Sequence, residues 1–213
     1  MARIENHKYS IEEAFRECFY IVPDYQREYV WTDKEVHQLL EDIGEQIDTG
    51  TTREYFIGTV LVSPTEQKNH YEVIDGQQRL TTFFLLLCAL KHLFQGEPQR
   101  QMLSGLISTS YVDSDGEVCT TLKLEPRYES AGKAITPLPR TTTMLPWCIN
   151  IPSWRRRSNS VSASWNYLRN TTNSSSSSIS TRKIFWMLRN EELVGRRKIN
   201  PSSLIVERLG AGD

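Results

Sequence analysis

Eight consecutive apolar residues, Phe83 to Leu90, come shortly after Leu80. A helix built from them has no polar face, so the fold must bury it. Just upstream, Tyr71-Glu72-Val73-Ile74 alternates as a half-buried strand does. Between strand and helix lies Asp75-Gly76-Gln77-Gln78-Arg79-Leu80-Thr81-Thr82, a turn crowded with acid, amide and guanidinium. Core packing asks for none of these groups. Gly76, without a Cβ, permits an unusual φ and a close approach of ligand to backbone. The first amides of the helix that follows lack intrahelical partners and favour an anion. The turn reads as a phosphate or nucleotide site.

A second polar cluster follows the apolar run Cys18 to Val22, where Pro23-Asp24-Tyr25-Gln26-Arg27 leads into Glu28-Tyr29-Val30-Trp31. Two Gln-Arg pairs, each placed after a strand, suggest one shared pocket. Three blocks together resemble the N-terminal domain of GmrSD-type, modification-dependent restriction systems. They are Ile21 to Trp31, the strand Tyr55-Phe56-Ile57-Gly58-Thr59-Val60, and Ile74 to Thr82, in that order. The resemblance covers roughly residues 9–134. It implies an α+β, ParB/sulfiredoxin-like fold, with a small mixed sheet packed by helices. It also implies binding and hydrolysis of a nucleoside triphosphate (ATP, GTP or another) with Mg²⁺ through the Asp-Gly-Gln-Gln-Arg motif, in bacterial defence against phage DNA. Relatives usually carry a C-terminal HNH-type nuclease domain whose motif is not seen here, so contact with DNA is expected through the full-length protein or that domain.

Charge divides the chain. Residues 1–134 hold 13 Lys and Arg against 22 Asp and Glu, a net of −9, whereas residues 135–213 hold 12 against 4, a net of +8. The second part carries Pro137, Pro139, Pro146 and Pro152, an Arg155-Arg156-Arg157 run and serines from Ser174 to Ser178. Such a tract does not bury enough apolar surface to offset its ordering entropy. Yet it also holds Trp147, Trp154, Trp165 and Trp186, unlike a low-complexity linker. The expectation is a nucleotide-binding domain over residues 1–134, truncated by a frameshift shortly after Lys133, and a low-complexity basic tail over 135–213 that adds no packed core. A basic tail in which Arg and Trp contact nucleic acid is the competing reading.

Ser10-Ile11-Glu12-Glu13 and Thr32-Asp33-Lys34-Glu35 have the form of capping boxes. They predict a helix from Ile11 to about Glu17 and a second one carrying Val36, Leu39, Leu40 and Ile43 on its apolar face, ending near Gly44 or Gly50. Tyr55 to Val62 reads as a central strand, Pro64 to Asn69 as a turn and Tyr71 to Ile74 as the hairpin partner. A helix runs from Gln77 to about Leu93, another from Met102 to Ile107, and a strand from Val118 to Leu124. The class is α+β.

Each candidate residue has a functional and a structural reading. Asp75 either holds Mg²⁺ or orients a water in catalysis, together with Gln78, or simply caps the helix. Gln26, Arg27, Gly76, Gln77 and Arg79 form the phosphate-binding set, because a guanidinium grips two oxygens and stays charged. Alternatively the arginines pair with Glu28, Glu41 or Asp42 at the surface. Tyr25, Tyr29 and Trp31 are candidates for stacking on a base, Tyr25 and Trp31 foremost, but aromatics after a strand are more often core. Thr81 and Thr82 read as helix hydroxyls satisfied within the helix. The four histidines lack metal-ligand spacing, and Cys18, Cys88, Cys119 and Cys148 show no paired spacing. A sulfiredoxin-like reductase would need a cysteine beside Gly76, and none is there. A non-catalytic ParB-like DNA-binding module is the remaining alternative, against which a net of −9 argues, besides an inactive gene fragment. With no apolar leader and no span of about 20 apolar residues, a cytoplasmic protein without membrane contact is expected.

Overall fold

The computed structural model describes residues 4–49, 56–93, 97–128 and 203–209. Over these, the order is β1 (Ile4–Tyr9), α1 (Ile11–Glu17), β2 (Phe19–Val22), α2 (Asp33–Thr49), β3 (Phe56–Pro64), β4 (His70–Asp75), α3 (Gln77–Leu93), α4 (Glu97–Ile107), β5 (Ser108–Val112), β6 (Val118–Leu122), β7 (Leu124–Pro126) and β8 (Ser203–Leu209). Six strands make one mixed sheet in the order β1-β8-β3-β4-β2-β7, and β5 and β6 pair apart from it. The fold is α+β, as expected.

Local chemistry accounts for the starts of α1 and α2. Ser10 sits in extended conformation ahead of α1. Its Oγ accepts from Glu13 N at 3.1 Å, and Glu13 Oε2 accepts from Ser10 N at 2.7 Å. Thr32 does the same for α2, accepting from Lys34 N while Glu35 reaches back to Thr32 N at 2.7 Å. These bonds hold the Glu35 carboxyl below its ordinary range, the Thr32 hydroxyl contributing most. Gly44 does not end α2, which continues to Thr49. The turn between β3 and β4 closes where Asn69 takes φ +62°, a conformation Asn tolerates better than most residues.

The apolar helix α3 lies at the centre of the core. Every residue from Leu80 to Leu90 is buried, and Phe83, Leu86, Leu87 and Leu90 pack with Phe15 and Ile11 of α1, Val60 and Val62 of β3, and Leu103 and Leu106 of α4. At about 25 cal/mol per Å² of apolar surface removed from water, such a helix supplies a large share of the driving force for the domain.

Three features depart from expectation. Val118 to Leu124 is not one strand, because Lys123 divides it: β6 pairs with β5, and β7 crosses to pair in parallel with β2. Lys123 is buried, its Nζ donating to Arg16 O at 3.0 Å and lying 3.7 Å from the Phe19 ring centroid. Desolvation pushes its ammonium below the ordinary lysine value. The helix expected from Met102 begins earlier, at Glu97.

The third departure is β8. It lies inside the sheet, antiparallel to β1 and parallel to β3, with Val206 opposite His7 on one side and Val60 on the other. Val206 is 0% exposed and belongs to the core. The expectation that nothing beyond about residue 135 adds packed core is therefore corrected: a strand from the far end of the chain fills an interior position in the sheet. A frameshift running to the chain end does not account for it. Residues 129–202, with the serine, arginine and tryptophan tracts, lie outside the described residues.

Candidate functional site

Two irregularities in the sheet shape the ground beneath the Asp75–Thr82 segment. Between β3 and β4 the register shifts, so that Leu61 faces Asp75 and Val62 faces Val73, leaving Ile74 without a ladder partner. Its carbonyl accepts instead from Gln26 Nε2 at 2.8 Å. Between β3 and β8 the shift falls at Phe56/Gly58, and Gly58 adopts φ +131°. Such bulges re-aim a strand, and here both lie on strands beside the turn.

The turn itself is compact because of Gly76. Its φ is +85°, and a Cβ there would stand 2.9 Å from the Thr59 carbonyl oxygen and 3.1 Å from Val60 Cα. Only glycine lets the start of α3 lie this close on β3. Leu80 N donates to Gly76 O at 3.0 Å, which makes Gly76 the residue at which the helix begins. Asp75 does not cap it: its exposed carboxylate takes no helix amide among the described residues. The first turn of α3 holds no acidic residue, so its positive end is not offset from within.

Arg79 leans back from that first turn over β3. Its Nη1 donates to Thr59 O at 3.3 Å, and the guanidinium occupies the space above Gly58, where a Cβ would meet Nη1 at 2.3 Å. Among the described residues it has no carboxylate partner. It is a half-buried cation without an anion among the described residues. Arg27 is exposed and forms no ion pair with Glu28, Glu41 or Asp42; Glu41 pairs with His37 at 2.9 Å and Asp42 accepts from Gln38 at 2.8 Å.

The glutamines behave differently from the expectation. Gln77 and Gln78 are buried. Gln77 Nε2 donates to Arg27 O at 2.8 Å, and Gln78 Nε2 donates to Glu28 O at 3.0 Å. Gln78 Oε1 accepts from Val30 N at 2.8 Å and from Trp31 N at 3.3 Å. Both ends of the Gln78 carboxamide are thus committed to the loop that follows β2. Gln78, expected at the chemistry, and Gln77, expected at the phosphates, hold this loop against α3. Tyr29 adds to the hold, its hydroxyl 2.9 Å from Thr82 Oγ1, while Thr82 donates to Gln78 O at 2.8 Å as a satisfied helix hydroxyl. The stacking candidates separate: Trp31 packs against the core, whereas Tyr25 is 70% exposed.

The structure therefore brings the two Gln-Arg clusters together, as expected, through amide-to-backbone bonds. The family model of the GmrSD restriction endonuclease, N-terminal domain, matches residues 8–202. The chain belongs to this family. The match runs well past residue 134, where the sequence reading ended the GmrSD-like part. Among curated proteins there is no match. One residue of the junction escaped sequence reasoning: Gly58, read only as part of a strand. It carried a signal, since a glycine inside a strand often marks close approach of another group. No helix among the described residues is long and apolar enough to cross a membrane.

Proposed function

We propose that this GmrSD-family domain binds a nucleoside triphosphate at the turn between β4 and α3 and hydrolyses it within a restriction system acting on phage DNA. The observation that carries the reading is Arg79. A half-buried guanidinium with no carboxylate partner among the described residues is costly, and here it lies beside the N-terminus of a 17-residue helix whose first turn holds no acidic residue. A phosphate group resolves both at once, taking the guanidinium fork and the backbone N–H groups of Gln77 and Gln78, which have no intrahelical partner. Arg27, carried on the loop that Gln77 ties down, supplies a second cation, and exposed Tyr25 offers a ring for the base.

Asp75 suits Mg²⁺. Its carboxylate is exposed and makes no hydrogen bond or ion pair among the described residues, which fits a hard cation that keeps most of its waters. Such an ion, when bound, neutralises charge on the phosphate oxygens. The chain's own contribution is placement: Gly76 lets the head of α3 lie close on β3, Arg79 and Arg27 orient the phosphate, and Gln26, Gln77 and Gln78 keep loop and turn in register.

Calorimetric titration of the chain with ATP and with GTP, each with Mg²⁺, tests this. Micromolar binding by the wild type, weakened at least about tenfold in Arg79→Ala, which corresponds to roughly 1.4 kcal/mol of charge-assisted contact, is the expected result. Equal affinity in Arg79→Ala and Asp75→Ala removes the ligand from this turn.

A further inference from the structure

The hairpin of β5 and β6 stands apart from the six-stranded sheet. At its base Lys123 N donates to Ile107 O at 2.9 Å and Leu122 packs against the core. Its far end is built by Asp113, whose Oδ1 accepts from Asp115 N at 3.0 Å and from Glu117 N at 2.8 Å, while Asp113 N donates to Glu117 O at 2.9 Å. Gly116 turns the chain with φ +78°. The tip is therefore ordered by its own bonds. Yet Tyr111, Val112 and Val118, next to that turn, are 55%, 66% and 67% exposed, with Val112 directly opposite Val118. The bonded pairs at the two ends also fix which backbone groups face outward. Bonded and non-bonded pairs alternate along an antiparallel ladder, so Thr109 and Tyr111 turn to β6, and the N–H and C=O of Ser110 and Val112 point to the open edge. Among the described residues no backbone group bonds them there.

Free strand edges are ordinarily guarded by lysine, proline or a bulge. β5, Ser108-Thr109-Ser110-Tyr111-Val112, carries no charge and no proline, and its ladder with β6 has no register shift. Charge is confined to the turn, where Asp113, Asp115 and Glu117 stand with no Lys or Arg anywhere from residue 108 to 122. We propose that β5 is a docking edge for an extended, basic segment of a partner protein. The segment adds as a third strand, lays apolar side chains against Tyr111 and Val112, and sets Lys or Arg beside the acidic turn. Backbone pairing supplies affinity, the exposed side chains supply selectivity, and the charge at one end fixes direction and register. Nucleic acid does not suit this surface, because the turn repels phosphate. The inference does not depend on nucleotide binding.

The test uses the whole chain. A library of random short peptides is selected against it, and the enriched peptides are titrated against the wild type, Ser110→Pro, Val112→Lys and Asp115→Lys. Ser110→Pro removes an outward donor and spares the bonds to β6, while Val112→Lys places a guarding cation on the edge. The enriched peptides should alternate apolar or β-branched residues and carry Lys or Arg toward one end. Their affinity should fall about tenfold in Ser110→Pro and in Val112→Lys. In Asp115→Lys it should fall about threefold, a difference that disappears near 1 M salt, where charges are screened within about 3 Å. Melting temperatures identify any variant that is misfolded, and Val112→Lys, altered only at an exposed side chain, decides if Ser110→Pro is. Peptides that bind wild type and Val112→Lys alike, or no enriched peptide at all, refute the docking edge. Enrichment of neutral or acidic peptides refutes the basic partner. Sedimentation showing a wild-type dimer that Val112→Lys dissociates overturns the proposal in favour of a second copy of the chain.

Discussion

The guanidinium of Arg79 fills the space that a side chain at residue 58 would need: a Cβ on Gly58 would meet Nη1 at 2.3 Å. Two positions far apart in sequence are therefore coupled. Gly58→Ala is expected to drive Arg79 off β3 and to weaken nucleotide binding by about tenfold or more, as Arg79→Ala does. The double variant should lose less than the sum, because both changes remove one arrangement. Titration of the four proteins in the cycle checks this.

Gly76→Ala should cost stability as well as binding. The residue has φ +85°, and the atoms a methyl group would meet are backbone, Thr59 O at 2.9 Å and Val60 Cα at 3.1 Å, which do not move aside cheaply. A loss of about 1–3 kcal/mol is expected, read from urea denaturation with the slope unchanged.

The far C-terminal strand should prove integral to the domain. Val206 is fully buried between β1 and β3, so Val206→Asp places a carboxylate in the core and should cost about 3 kcal/mol or more. Removing residues 203–213 should likewise lower the melting temperature, since it leaves β1 and the Gly58 end of β3 without their shared neighbour. A melting curve identical to that of the intact chain would contradict the strand order.

Tyr128 predicts an alkaline signature. Its folded value is raised to about 12 from an ordinary 10, with burial the main cause. The neutral form is favoured in the fold, so the contribution to stability is fully present below pH 10 and is lost as pH climbs toward 12. Tyr128→Phe, which cannot ionise, should flatten that part of the stability profile, as denaturation midpoints at pH 9 to 12 will show.

The strand-to-helix turn at Gly76 was legible from local pattern, because period-two alternation in Tyr71 to Ile74 gives way to an unbroken apolar run and the residues at the junction serve neither. The helices opened by Ser10 and Thr32 were legible for a similar reason: a capping box is complete within four residues. Resemblance across three blocks reached the family, which the match over residues 8–202 shows. What Gln77 and Gln78 do was decided by tertiary structure alone. An amide pointed at phosphate and an amide pointed at a loop 50 residues away look the same in a sequence, and only the approach of that loop to α3 selects between them. β8 was hidden for the same physical reason. A strand is stabilised by the neighbours it pairs with, and the neighbours of Ser203–Leu209 are Ile4–Tyr9 and the Phe56–Val62 stretch of β3, brought to it only by the closing of the whole sheet.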